Sequence, residues 1–284
     1  MAGEGGLAER SAIAAYHEEL HLSLATSMAP IPDLATCKKI GFIVPSSNTA
    51  VEPITNAIFQ SLPDGTNIIP LFTRIGVKTV GTDASSTSQF STDTMVAAAQ
   101  LLADAECSAI LWNGTSGMWV GTGLDADRQL AKAMSDATGI PCSTTTLATV
   151  EALSKLGKPK LSIAVPYDEP LALKVREFYA EIADYDFHVC GVARQEPTPA
   201  SNLEIAKTSL RDVEEVVMRA AELPHVQVIV PACTNWPAAL ITESVEARTS
   251  AIVVDSIVVT VWQGLRMAGC DAVLPGWGKM STLI

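Results

Sequence analysis

The feature that most constrains the fold of this 284-residue chain is an internal repeat. The segment GFIVPSSNTAVEP (41–53) is echoed by SIAVPYDEP (162–170), each an apolar run, a proline and a polar turn that opens a helix. Further on, ILWNGTSG (110–117) is echoed by IVPACTNW (229–236). Pro45 thus recurs as Pro166, 121 residues on, and Gly114 as Cys233, 119 residues on. Two landmarks in the same order at nearly one interval imply two similar α/β units facing one another, with equivalent loops meeting in the cleft.

Hydrophobic patterning agrees with that plan. Short β-branched runs lie at 40–44, 67–72, 109–112, 161–165, 187–192, 226–230 and 251–254, and Cys142 begins a further one. Helical stretches fall between them at 92–105, 125–138, 147–156, 171–183, 202–223 and 236–247. Several strand runs are apolar at almost every position, which suits strands covered on both faces. Alternation of this kind specifies an α/β fold with parallel sheets flanked by helices. Gly139, Gly157 and Gly269 follow helical stretches, where a left-handed cap is needed. The expected organisation is an N-terminal arm and linker (1–37), a first lobe (38–157), a second lobe (158–265) and a tail (266–284) returning to the first lobe. Within the arm, 9–27 reads as an amphipathic helix that packs on a second copy of the chain or, equally, as part of a partly disordered tail.

Composition narrows the function classes. Nineteen Lys and Arg against 31 Asp and Glu give a net charge of −12 with no basic run, which argues against nucleic acid as a partner. The longest apolar stretch, 251–262, is too short to span a bilayer and contains Asp255, so no membrane partner is expected. The six cysteines are scattered without a C-x-x-C pair, and the four histidines do not cluster with them, so neither a disulfide framework nor structural zinc is expected. MAGEGGLAER is not a secretory start, and reduced thiols in the cytoplasm are the expectation.

In parallel α/β sheets ligands bind beyond the carboxyl ends of the strands. The repeat places four loops there: 45–49, 114–117, 166–168 and 233–235. They offer hydroxyls, amides and one thiol, but no Lys, Arg or His. Such a set can donate several hydrogen bonds to a carboxylate or enediolate without a metal. Each Ser, Thr, Asn or Asp there also suits an ordinary N-cap. Among the cysteines, Cys107 begins its strand and lies ~20 Å from the rim at ~3.3 Å per residue. Cys37, Cys142, Cys190 and Cys270 sit in the linker, in strands or near the tail, and read with Cys107 as small buried hydrophobes. Cys233 alone follows a strand and opens a helix, where the helix dipole is expected to lower its pKa.

The segments GFIVPSSNTAVEP, WNGTSG (112–117), VPYDEP (165–170) and VPACTNWP (230–237) resemble the aspartate/glutamate racemase superfamily, and within it the maleate isomerase and arylmalonate decarboxylase branch. The resemblance covers 38 to about 265. It implies two pseudo-symmetric flavodoxin-like lobes with parallel sheets, an interlobe active site and no cofactor. Racemases and maleate isomerases of the superfamily carry one cysteine per lobe. By similarity the first falls at Gly114 and the second at Cys233, so this chain keeps one thiol, as arylmalonate decarboxylases do. The resemblance then implies that Thr115, Ser116 and Tyr167, with backbone N–H groups near Ser116 and Thr234, form a dioxyanion hole. Asn48 and Asn202 match amides that hold substrate carboxylate; Gly114, Gly117, Thr234 and Asn235 complete the binding loops. Trp112, Met118, Trp119 and Trp236 are candidates either for an apolar wall around the departing carboxylate or for the core, and for Trp112, lying in a strand, the core is the better reading.

The reaction expected is cofactor-free decarboxylation of a malonate-type or related activated dicarboxylic acid. An enediolate would be held by the dioxyanion hole and protonated by Cys233. Two alternatives stand beside it: isomerisation or racemisation of a small mono- or dicarboxylate, with water or Tyr167 replacing the missing thiol, and carboxylate binding without catalysis.

Overall fold

The computed structural model describes residues 32–283 apart from 122, 158, 183, 186 and 272. The chain divides into residues 1–37 and residues 38–284. Of the first unit, 33–37 form a turn in which the Asp33 carbonyl accepts from the Thr36 and Cys37 amides. The arm helix expected over 9–27, and with it the proposed contact to a second copy, lies outside the described residues.

The second unit holds two four-stranded sheets of the same plan. In the first, β1 (Lys38–Pro45), β2 (Ile68–Ile75), β3 (Ala109–Trp112) and β4 (Cys142–Thr144) lie in the order β2-β1-β3-β4, all parallel. In the second, β5 (Lys160–Val165), β6 (His188–Arg194), β7 (Val228–Pro231) and β8 (Ile252–Val253) lie in the order β6-β5-β7-β8, again all parallel. The repeat extends to single hydrogen bonds. Ser108 N donates to Lys39 O as Gln227 N does to Lys160 O, and Asn113 N to Ile43 O as Ala232 N does to Ala164 O. Each pair is related by the same offsets of 121 and 119 that relate Pro45 to Pro166 and Gly114 to Cys233.

The helices are α1 (Val51–Gln60), α2 (Thr92–Ala103), α3 (Leu124–Thr138), α4 (Thr145–Lys155), α5 (Glu169–Glu181), α6 (Leu210–Ala221), α7 (Thr242–Arg248) and α8 (Ser256–Met267). Side chains of β1 alternate between two cores. Ile40, Phe42 and Val44 join a cluster that continues into the second lobe, while Ile43 joins Met95, Met134 and Trp112 on the other face. Gly139 ends α3 at φ +71°, a conformation a Cβ would disfavour.

Two expected helices are built differently. The stretch 202–223 breaks after the short turn Asn202–Ala206, and α6 starts afresh with the Ser209 hydroxyl accepting from Asp212 N. The stretch 236–247 opens as a 3₁₀ turn, Pro237–Ile241, before α7, so Cys233 does not sit at an α-helix N-terminus. Helix α8 is absent from the periodic reading because it is apolar on nearly every side, and the reason is its place. Although it follows β8 of the second sheet, it packs on α1, α4 and β3 of the first lobe. The Thr145 and Thr260 hydroxyls hydrogen-bond at 2.7 Å between α4 and α8, and Arg266 pairs with Glu151 at 2.7 Å. The tail touches both lobes: Trp277 Nε1 donates to Ser61 Oγ at the end of α1, and Lys279 N to the Glu246 carboxylate of α7.

Gly264 allows α8 to lie directly on the first sheet, since a Cβ there would stand 2.9 Å from Ile40 Cγ2 and 3.0 Å from Leu111 Cδ1. Gly264→Val should therefore lower stability by ~1–3 kcal/mol through overpacking. Urea denaturation followed by circular dichroism checks this, and an unchanged midpoint would contradict the close approach.

Candidate active site

The loops that leave β1, β3, β5 and β7 converge at the carboxyl edge of the two sheets. Around a cavity of about 30 Å³ they bring together Asn48, Gly114, Thr115, Ser116, Tyr167, Cys233, Thr234 and Asn235, and Asn202 joins them from the segment after β6. Of the residues expected at the site, Gly117 alone stays outside this lining. It is packed on Asp127, whose carboxylate would overlap any Cβ at that position.

Local structure accounts for each position. Asn48 Oδ1 accepts from Ala50 N and Val51 N and so starts α1, while its Nδ2 donates to Thr234 Oγ1 in the opposite lobe at 3.2 Å. Asn235 Oδ1 accepts from Thr49 N at 3.0 Å and Ala50 N at 3.3 Å, so a second-lobe amide caps the first-lobe helix. Its Nδ2 donates to the carbonyl and side chain of Asn202, whose own Nδ2 donates to Ser47 Oγ at 2.7 Å. Thr234 Oγ1 also donates to Asn113 O, at 3.4 Å. The three asparagines thus form an interlobe brace as well as a lining. Asp168 is an ordinary N-cap of α5, accepting from Leu171 N.

The thiol is the centre of the arrangement. Cys233 is 3% exposed, and the Tyr167 hydroxyl and the Asn235 and Trp236 amides hydrogen-bond to it. Burial pushes its pKa up to about 11; those hydrogen bonds pull it down, and nearby Asp255 pushes it up again. The expected lowering by a helix dipole does not occur, because no α-helix begins there and desolvation of a thiolate outweighs the hydrogen bonds. Tyr167 is raised well above its ordinary value, chiefly by burial, and links the lobes through a 3.3 Å contact with Thr115 Oγ1. Near neutral pH the pair therefore holds both protons. A thiolate formed during reaction would find three donors already aimed at it.

The apolar wall differs from expectation. Of the four candidates only Trp119 lines the cavity, edge-on to Tyr167 at 5.5 Å between ring centroids. Its indole Nε1 is buried without a hydrogen-bond partner. Met118 is buried against Tyr179, and Trp236 is buried with its Nε1 on Gln195. Trp112 lies in the core beneath the 114–117 loop, its Nε1 donating to Ser116 Oγ at 3.2 Å. The rest of the wall is Val77, Val80 and Phe90, from the segment after β2 that the sequence reading missed. That segment, VKTVGTDASSTSQF, is mostly polar and shows no periodic signal. It is ordered by Asp83, which caps Ser85 and Ser86, and by Gln89, which accepts from Lys78 N and donates to Thr79 O. Tyr167, Val80 and Asn202 also face a cleft of about 310 Å³ between segments 78–82 and 198–205.

The other cysteines stay away from this edge. Cys107 is buried in the first-lobe core with its thiol raised to about 11 by burial, and Cys37 is buried. Cys142, Cys190 and Cys270 are only half-buried, because their strands and tail run near the surface. Among the described residues no group of three or more His, Cys, Asp or Glu is placed to hold a metal ion. Among them, too, no helix is long and apolar enough to cross a membrane.

The family profile of arylmalonate decarboxylase matches residues 40–281. No match was found among curated proteins. Among solved structures, the maleate isomerase Iso from Pseudomonas putida S16 is similar at a TM-score of 0.76 and 22% identity, covering 86% of this chain and 98% of its own. Nocardia farcinica maleate cis-trans isomerase bound to TRIS gives 0.72 and 24%, over 86% and 97% of the two chains. Unliganded arylmalonate decarboxylase gives 0.68 and 24%, over 86% and 99%. These likenesses establish a shared two-lobed fold.

Two expectations follow from the site's geometry. Asn235→Ala removes the interlobe acceptor at the start of α1 and the brace to Asn202 together, while Asn48 still caps the helix, and should cost ~1–2 kcal/mol by urea denaturation. A loss near zero would mean that water replaces the amide at no cost. The second concerns Asp127, buried beneath the 114–117 loop and raised to about 6 by burial, which outweighs the lowering influence of the nearby Thr144 and Thr146 hydroxyls. A raised folded-state pKa means the folded protein takes up a proton between pH ~4 and 6. The associated stability is therefore present at low pH and lost as pH rises through 6, by about 3 kcal/mol at pH 8. Asp127→Asn should flatten the pH dependence of the urea midpoint between pH 4.5 and 8. Parallel wild-type and variant curves would refute the assignment.

Proposed function

The chain belongs to the arylmalonate decarboxylase family, and from that premise we propose that it is a cofactor-independent decarboxylase of a malonate-type or related activated dicarboxylic acid. The observation that carries the reading is the asymmetry of the two strand ends. Cys233 supplies a protonated thiol on one side; the equivalent place in the first lobe is Gly114, where a Cβ would run into the indole ring of Trp112. A reaction that needs an acid or nucleophile on both faces of a carbon has only one here.

Decarboxylation needs only one. Cleavage of the C–CO₂⁻ bond leaves its electron pair on the carbon and the remaining carboxylate as an enediolate. In this reading the Thr115 and Tyr167 hydroxyls and the backbone N–H groups near Ser116 and Thr234 donate to that growing charge. Each such donor is typically worth ~3 kcal/mol of barrier lowering. Val77, Val80, Phe90 and Trp119 form the less polar side of the cavity, where a departing carboxylate loses hydration while neutral CO₂ does not. Cys233 then delivers its proton to the carbanion from one face. A thiol whose pKa is about 11 retains that proton until a strongly basic carbon demands it.

The test is CO₂ release from a panel of α-substituted malonates, with maleate and aspartate as comparison substrates. Cys233→Ser should reduce turnover by orders of magnitude while circular dichroism stays native. Undiminished turnover in that variant would remove Cys233 as the acid. Cis–trans conversion of maleate, or α-hydrogen exchange without CO₂ loss, would assign the isomerase or racemase reaction instead. Binding of carboxylates with no turnover of any kind would leave a binding protein.

A further inference from the structure

One buried ionisable group beside the thiol has no part in the chemistry above. Asp255 follows β8, the strand paired with β7, and β7 ends two residues before Cys233. The next residue ties the two strand ends together, Ser256 Oγ donating to Pro231 O at 2.7 Å. Asp255 is 1% exposed. One carboxylate oxygen, Oδ1, accepts from Ile257 N at 2.8 Å and Val258 N at 3.1 Å and so caps α8; the other, Oδ2, is buried without a partner.

The first lobe provides an internal control. Thr145 Oγ1 donates to Trp112 O as Ser256 Oγ does to Pro231 O, which makes Thr144 the counterpart of Asp255. Thr144 caps α4 through a neutral hydroxyl, accepting from Leu147 N. Capping therefore does not call for a carboxylate at this place, and an unpartnered buried carboxylate oxygen is a costly way to obtain a cap. The carboxylate occurs in the lobe whose strand end bears the thiol, and the hydroxyl in the lobe whose strand end bears Gly114.

We propose that Asp255 is a positioning residue for Cys233: its carboxylate, set behind the cavity wall, holds the proton on the thiol until substrate takes it. The direction agrees with the site's electrostatics, since the charge of Asp255 raises the proton affinity of Cys233. Burial in turn lifts Asp255 to about 7 against the cap hydrogen bonds, so its charge changes near neutrality. Among the described residues the titratable groups that act on Cys233 are Asp255 and Tyr167, and they act oppositely: Tyr167 hydrogen-bonds to the sulfur and lowers its proton affinity. The inference deepens the decarboxylase reading, but the thiol's protonation can be measured without any substrate.

The experiment labels the protein with [13Cβ]cysteine and follows the Cys233 resonance, assigned by its loss in Cys233→Ser, as pH is raised. Asp255→Asn keeps an oxygen for the α8 cap and removes the charge. It should raise the thiol's ionisation constant at least about threefold, shifting its titration to lower pH. Tyr167→Phe should shift it the opposite way. Should the asparagine variant not fold, Asp255→Thr, which copies Thr144, serves the same purpose. A Cys233 titration unmoved in a folded Asp255 variant overturns the proposal, whatever the enzyme's substrate. Conversely, a shifted titration with no CO₂ release from any malonate upholds the proposal and rejects the decarboxylase reading. With an active enzyme, the wild-type kcat profile should bend near pH 7, and the Asp255→Asn profile should not.

Discussion

The active-site edge depends on an amide that crosses between lobes. Asn235 leaves the β7 turn and accepts the Thr49 and Ala50 N–H groups at the start of α1. The Ala50 group is one of the orphan donors a helix start must satisfy, and although Asn48 Oδ1 gives it a local partner, it has a second partner across the cleft. Taking one from the other lobe makes the first turn of α1 and the Cys-Thr-Asn turn a single structural unit. The Asn48–Thr234 and Asn202–Ser47 bonds reinforce it. With the brace in place, Thr115, Tyr167 and Cys233 come into hydrogen-bonding sequence although they derive from three different loops and both lobes.

Desolvation then sets the chemistry of those groups. Cys233, Tyr167, Asp127 and Asp255 all hold protons more tightly than they would in water, and burial is the first cause in each case. A site with no Lys, Arg or His in its lining has no positive charge to oppose that tendency. It is accordingly a site of neutral donors. Such an environment serves a reaction in which negative charge appears transiently on the substrate and is quenched by one proton. It serves poorly a reaction that starts from a preformed thiolate.

The pseudo-symmetry of the lobes makes their departures from symmetry informative. The strand orders and the Thr145 and Ser256 anchors coincide, and the registers too except for a bulge between β5 and β6, whereas the residues at the strand ends diverge: Gly114 against Cys233, Trp112 against Pro231, Thr144 against Asp255. Trp112 and Gly114 belong together, since the indole needs the space that a side chain at 114 would take. Cys233 and Asp255 likewise lie on neighbouring strand ends. One lobe carries an indole and a glycine where the other carries a thiol and a carboxylate, on the same plan.

Much of this was legible along the chain. The repeat announced two equivalent α/β units, and the strand ends it marked are the ones that meet around Cys233. Those signals are local, resting on patterning and on residue types at turns. Helix α8 escaped the periodic reading because a helix buried on all sides carries no amphipathic period. Segment 77–90 escaped it because its folded course is held by caps and one glutamine. The thiol's protonation could not be read from order alone, since a strand-end cysteine is equally compatible with a helix dipole or with burial. Local sequence determined the sheets, the repeat and the identity of the rim residues. Tertiary structure decided which of them touch and which protons they keep, because desolvation and packing are imposed by residues far away in the chain.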